Sequence, residues 1–208
     1  MEKKLSRKER EFSQRKKEIL DIALSLFSKR GFHNVTMQDI ARKSEFAVGT
    51  IYKFFKTKED LYRELVVKKG EEILSLLIKP FELSVDEMLK IRKAIETKIN
   101  VFIENKDAIY LYLTETRGAA AYVSINIDEK IKDLYFSYLE KLAEVFEDGI
   151  KKGIFPDIDP FLLAIGIDSI SNAFLFQEME RPGEHPFDVN LILKIFFRQI
   201  YIGGKLNV

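Results

Sequence analysis

The sequence predicts an all-α protein of nine helices, three in a small head and six behind it. Three observations carry that prediction. Apolar residues recur at helical spacing along nearly the whole chain, and no sustained stretch alternates with period two. Proline is scarce and glycine falls mainly between the periodic segments. Several apolar stripes are preceded by a Ser or Thr with an acidic residue three positions on, the pattern of a helix start.

Taken in order, residues 1–13 are mostly charged and are expected to form a basic, disordered arm. The first firm helix is expected from about Gln14 to Arg30. There Ile19, Ile22, Ala23, Leu26 and Phe27 make one apolar stripe. Gly31 follows as a residue able to take a left-handed ending, so that Phe32 can fold back onto Phe27. Thr36 with Asp39 makes a capping-box pattern, and Val35 with Ile40 a hydrophobic staple. They predict a second helix over about Thr36–Ser44, with a third over about Val48–Phe54. Thr57 with Asp60 repeats the cap and opens a long helix to about Lys79, stopped by Pro80. At a rise of about 1.5 Å per residue that helix spans roughly 33 Å, enough to join two domains.

Behind it, Ser84 with Glu87 reads as a further capping box, stapled by Leu83 and Met88, opening a helix to about Asn105. A shorter helix is expected over about Asp107–Arg117, ending at Gly118. Residues 119–126 fit loop or helix equally. A long amphipathic helix covers about Asp128–Lys152. Asp159-Pro160 is an N-cap followed by Pro at the first helical position, opening a helix to about Glu180. The last helix is expected over about Pro186–Ile202.

The 34 Lys+Arg and 33 Asp+Glu leave a net charge of only +1, but they are unevenly laid out. Residues 1–69 hold 18 basic and 10 acidic residues, while 16 and 23 fall in residues 70–208. A basic head on an acidic body suits a chain that sets one end on a polyanion; a solvated charged surface is the other reading. The absence of cysteine excludes a disulfide framework and a thiolate zinc site. No apolar run reaches the roughly 18 residues of a membrane span, and the N-terminus is too polar for a signal peptide. A cytoplasmic, nucleoid-associated protein with no membrane partner is expected.

Two short helices joined by a tight turn, after a longer first helix, is the layout of a DNA-binding helix-turn-helix, here within residues 36–55. Ile40, Ala41, Phe46, Ile51 and Phe55 can hold the helices together. Gly49 and Thr50 are small enough to bring backbone close to DNA, and Tyr52 and Lys53 can reach phosphate or base edges. Val48 can touch a thymine methyl. Lys58, beside the free N–H groups of the next helix, favours a phosphate. Gln38 is a further candidate for a phosphate or helix-end contact.

The stretch Val35-Thr36-Met37-Gln38-Asp39-Ile40-Ala41, then Gly49-Thr50-Ile51-Tyr52, then Phe55, Lys58 and Leu61, resembles the tetracycline-repressor (TetR) family. Ile19, Ala23, Phe27, Gly31 and Phe32 match that family's first helix, so the motifs cover about 17–65. The resemblance implies a homodimer whose two recognition helices enter successive major grooves of a palindromic operator in double-stranded DNA. It carries the usual contacts to Thr36, Thr50, Tyr52 and Lys58. The sequence departs from the pattern at the turn, Ser44-Glu45-Phe46, where small residues and a glycine are usual. It departs again at Ala47, where Ser or Thr often caps the recognition helix. The arm residues Lys3, Lys4, Arg7, Lys8, Arg10, Arg15, Lys16 and Lys17 either follow the DNA or form a solubilising tail.

The expected architecture is therefore an N-terminal three-helix helix-turn-helix domain plus a C-terminal six-helix effector-binding and dimerisation domain. Its divisions are an arm at 1–13, the DNA-binding domain at 14–57, a connecting helix at 58–79 and the body at 80–208. The last two helices are apolar on nearly every side, which requires burial on more than one face. Ile167, Ile170, Phe174, Ile192, Phe196 and Ile200 are the candidates for an isologous interface with a second copy, and the resemblance points the same way. Candidate effector contacts are Phe102, Tyr110, Arg117, Phe136, and Asp168 with Asn172 on an otherwise apolar helix. Such polar groups need partners, in the dimer interface or in a pocket. The resemblance implies an inducer, and the apolar body suits a lipophilic one such as a fatty acyl thioester or a hydrophobic drug.

No catalytic residues, metal ligands or cofactor are assigned. His33 and His185, the two histidines, stand in no metal or triad spacing, and no glycine-rich phosphate loop is present. The reading is a ligand-responsive transcriptional repressor. A DNA-binding activator or architectural protein without effector is the alternative, and a helical enzyme the other.

Overall fold

The computed structural model describes residues 6–116 and 121–201, with 112–116, 121–128 and 198–201 described by backbone alone. These residues form α1 (Arg7–Arg30), α2 (Met37–Lys43), α3 (Val48–Phe54), α4 (Lys58–Leu77), α5 (Glu87–Glu104), α6 (Lys106–Thr116), α7 (Ala121–Lys151), α8 (Pro160–Glu180) and α9 (Val189–Tyr201). A 3₁₀ turn, Lys79–Glu82, follows α4, with Pro80 in its first positions. The described residues contain no strand, so the fold is all-α as expected.

The chain divides into two compact units. The first takes the residues up to Gly70 together with Asn105–Ile131, and the second takes Glu71–Glu104 with the chain from Lys132 onward. The division into compact units thus falls after Gly70, within α4, where the expected boundary lies at residue 80. α6 packs on α1 rather than with the body, and Leu111 is buried in the first unit's core. α6 is apolar enough on one face to be claimed by either core, so its own periodicity does not decide between them.

In the first unit, Ile19, Ala23 and Phe27 of α1 pack with Ile40, Ile51, Leu61 and Leu65. Gly31 takes φ +77°, which favours glycine. Its N–H closes α1 on the Phe27 carbonyl, and Phe32 then lies against Phe27 with ring centroids 5.3 Å apart.

The disordered arm expected over 1–13 is corrected for the described residues 6–13, where α1 begins at Arg7. Ser6 closes a capping box with Glu9: its hydroxyl accepts from the Glu9 N–H at 3.3 Å, and its own N–H donates to Glu9 Oε2 at 2.8 Å. That Ser-x-x-Glu pattern satisfies the first free N–H groups and makes a helix of a segment whose composition alone suggests a tail.

In the second unit, Phe146 is fully buried against Phe155 and Phe196, with centroids at 5.2 and 6.0 Å. Ile91 and Ile95 of α5, Leu139 and Leu142 of α7, Leu163 and Ile167 of α8, and Ile192 of α9 complete this core. The expected Ser84–Glu87 box does not form. Asp86 caps α5 instead, accepting from the Leu89 N–H at 2.8 Å, while the Glu87 carboxylate pairs with Lys152 at 2.5 Å. Leu83 and Met88, the expected staple, are both exposed. α8 is long and apolar enough to cross a bilayer by length and composition, but it buries Leu163, Ala164 and Ile167 in this core and carries an ion-paired Asp168 near its middle.

Candidate nucleic-acid interface and effector domain

α2 is fixed at its start by a reciprocal capping box. The Thr36 hydroxyl accepts from the Asp39 N–H at 3.1 Å, while the Thr36 N–H and hydroxyl both donate to Asp39 Oδ2, at 3.0 and 2.8 Å. Arg42 adds a contact at 2.7 Å. The bonds from Thr36 and the two nearby arginines, Arg30 and Arg42, hold the Asp39 carboxyl below the usual carboxylate range. The Thr36 hydroxyl is thus engaged within the chain.

The turn into α3 is closed by Ser44, whose buried hydroxyl donates to the Ile40 carbonyl at 2.8 Å. Glu45 then adopts φ +57°. It occupies the left-handed position that glycine fills more easily. Ala47 precedes α3 and makes no side-chain cap, as the substitution of Ser or Thr by Ala at that place requires.

α3 buries Ile51 completely and presents Gly49, Tyr52 and Lys53 outward, with Tyr52 46% exposed. Val48 and Thr50 are half-buried on its flanks, and Gln38 is exposed on α2. A Cβ added at Gly49 would meet nothing within 4 Å, so packing inside the chain does not call for glycine there. Lys58, the expected phosphate contact, makes two ties within the chain. Its ammonium reaches back to the carbonyls of Phe32 and Val35, at 2.9 and 3.0 Å, and sits 4.2 Å from the Phe32 ring centroid. Two of its three N–H donors are therefore spent tying α4 to the loop before α2.

In the second unit, Asp168 is the centre of a polar cluster. The Lys98 ammonium donates to its Oδ1. The Tyr135 hydroxyl and the Asn172 amide donate to its Oδ2, at 2.7 and 2.8 Å. Burial holds the Lys98 ammonium below its ordinary pKa against the pull of Asp168. Burial and the same carboxylate push the hydroxyls of Tyr135 and Tyr138 up. The partners of Asp168 are thus found within one chain. Lys98, Tyr135 and Tyr138 were not singled out from the sequence. The legible signal for Lys98 is its register: Ile91, Ala94, Ile95 and Val101 place position 98 on the buried stripe of α5.

The other expected effector residues are scattered. Phe102 is half-buried. Phe136 is exposed and stacks on Phe161 at 6.3 Å with the planes 10° apart. Tyr110 falls in the first unit and is exposed. Arg117 lies outside the described residues.

Ile167, Ile192 and Phe196 are buried in the core of their own chain, and Ile170 and Phe174 pack against it. The side chain of Ile200 is outside the described residues. The outward face of α8 and α9 carries Leu162, Ser169, Ala173, Phe176 and Leu191. A helix apolar all round offers no sequence signal for which stripe turns inward, so the choice was made by packing.

A capped second helix, a buried hinge at Ser44 and a third helix with an outward polar face define a helix-turn-helix regulator. Residues 19–65 match the profile of bacterial regulatory proteins of the tetR family. Over those residues the chain is similar to the family's DNA-binding segment, and the proteins it matches are transcriptional regulators rather than enzymes. It is 29% identical over 205 residues to the HTH-type transcriptional regulator YhgD of Bacillus subtilis (strain 168), covering 93% of this chain and 98% of that one. In fold it is similar to FadR from Bacillus subtilis in complex with stearoyl-CoA, with a TM-score of 0.70 and 20% identity over 89% of this chain and 97% of that one. It is also similar to a transcriptional regulator from Saccharomonospora viridis in complex with choline, with a TM-score of 0.73 and 20% identity over 92% and 97% of the two chains.

Proposed function

We propose that this protein is a ligand-responsive repressor that binds a palindromic operator as a homodimer and is released by a lipophilic effector. The observation that carries the DNA-binding part is the outward face of α3. Gly49 costs an exposed helix about 1 kcal/mol relative to alanine, and nothing in the chain's own packing asks for it. Close approach of an external backbone accounts for it. Tyr52 and Lys53 stand on the same side of the helix, exposed. Thr50 and Val48 flank them, Gln38 stands nearby in sequence on α2, and Thr36 and Lys58 act by fixing the frame. A cytoplasmic location follows from that role.

The dimer is supported by the apolar outward face of α8 and α9, Leu162, Ala173, Phe176 and Leu191, which one chain leaves exposed. The effector class draws on the stearoyl-CoA of the Bacillus subtilis FadR complex and on the apolar second unit. Phe102, Phe136, Asp168 and Asn172 are the side chains offered to it.

Selection of bound duplexes from random DNA tests the reading. The expected product is a palindrome with half-sites about one helical turn, 10–10.5 base pairs, apart. Long-chain acyl thioesters are expected to raise the melting temperature of the free protein and to release the selected duplex. Recovery of no preferred sequence overturns the repressor reading. Release by no acyl thioester overturns the effector class alone.

A further inference from the structure

The first two turns of α1 do more than extend a helix. Phe12 is 52% exposed, yet its ring lies 4.6 Å from that of Phe54, the last residue of α3. One turn further on, Lys16 pairs with Glu64 of α4 at 2.6 Å and sits 5.4 Å from the Phe55 ring. The start of α1 is thus pinned at two successive turns to the end of α3 and to α4.

At about 100° per residue, Lys8, Phe12, Arg15 and the buried Ile19 fall within an arc of about 60°. The face of α1 that meets Phe54 therefore also carries Lys8 and Arg15. Both are exposed. Of the other cations nearby, Arg7 pairs with Glu11, Lys16 with Glu64 and Lys17 with Asp21, while Arg10 lies on the opposite side of the helix, about 200° from Lys8. Neither Lys8 nor Arg15 has an acidic partner among the described residues. The helix N-terminus itself is closed by the Ser6–Glu9 box, so any anion is met by these side chains rather than by free N–H groups.

We infer that the start of α1 is a rigid basic strut, locked to the recognition helix through Phe12 and Phe54, that places Lys8 and Arg15 on the DNA phosphates flanking the recognition site. The inference rests on the reading of α3 as the DNA-contacting helix. Duplex DNA is the partner because the strut is anchored to that helix and moves with it. A free solubilising tail has no need of a cap, a ring stack or an ion pair.

The test is the salt dependence of binding to the best duplex recovered by selection, and to a scrambled duplex of the same length. Each lost phosphate contact flattens the log–log slope by about 0.9. Lys8→Gln with Arg15→Gln removes two contacts per protomer, so it is expected to flatten the slope by about 1.8 per protomer, about 3.6 for the dimer, on both duplexes. Phe12→Ala, which leaves both cations in place, is expected to flatten it in the same direction. The variants' circular dichroism melts are expected to match the wild type, since all three side chains are exposed. An unchanged slope in the double variant, or a slope that responds to it but not to Phe12→Ala, overturns the strut. Tyr52→Ala keeps the two readings apart: loss of preference for the selected duplex with the slope retained supports α3 alone. Wild-type protein that binds neither duplex overturns both.

Discussion

Lys98 on α5 and Asp168 on α8 form an ion pair with almost no contact with water: the lysine side chain is 11% exposed and the aspartate 0%. Removing one partner of such a pair leaves a buried charge uncompensated, a loss of about 3–5 kcal/mol. Lys98→Met is expected to destabilise by that amount in urea unfolding followed by far-ultraviolet circular dichroism. The double variant Lys98→Met, Asp168→Leu is expected to recover most of the loss, since a well-packed apolar pair removes both desolvation costs. A single variant as stable as the wild type contradicts the buried-pair account.

The head has its own pH sensitivity through Asp39. Hydrogen bonds from Thr36 lower its carboxyl pKa in the folded state, so the native state favours the ionised form. The resulting stability is present above the ordinary value of 3.8 and is lost as pH falls through the lower folded value. Thermal melts across this range are expected to show wild type ahead of Asp39→Asn at neutral pH, with the gap closing in acid. Thr36→Ala is expected to cost about 1 kcal/mol through loss of the cap.

Two neighbouring positions separate packing from recognition. Glu45 holds φ +57°, and Glu45→Gly is expected to stabilise by about 0.5–1 kcal/mol through relief of left-handed strain. Gly49→Ala is expected to stabilise by about 1 kcal/mol through helix propensity, because the added methyl has open space. Only Gly49→Ala is expected to weaken operator binding. Equal binding by both variants would falsify a close backbone approach at Gly49.

The second unit separates core from interface in the same way. Ile167→Ala is expected to cost about 2–5 kcal/mol of stability, since its side chain is in the core. Ala173→Glu, on the outward face, is expected to leave the melting temperature of the monomer unchanged and to abolish the dimer in sedimentation velocity. A dimer that survives Ala173→Glu places the interface elsewhere.

The sequence made the frame of the head legible because each of its elements carries a local device. The Thr36–Asp39 box starts α2, Gly31 ends α1, and Phe32 returns to Phe27. α3 lies at Val48–Phe54 as its periodicity predicts. The start of α1 was hidden because its box, Ser6 with Glu9, is embedded in charged residues that read as a tail. The Lys58 contacts join residues more than twenty positions apart, which no local pattern encodes. The same holds for Lys98 and Asp168, seventy positions apart. In α8 and α9 the apolar residues cover all sides, so no pattern in the sequence says that Ile167 and Phe196 turn into the core of their own chain.

The central claim is that the outward face of α3 reads DNA. Equilibrium binding of Tyr52→Ala and Lys53→Ala to the selected duplex and to its scrambled counterpart tests it most directly. A base contact is worth about 1–3 kcal/mol, so specific affinity is expected to fall roughly 5- to 150-fold in at least one of the two variants while the melting temperature stays unchanged. Wild-type affinity for the selected duplex in both variants contradicts the account.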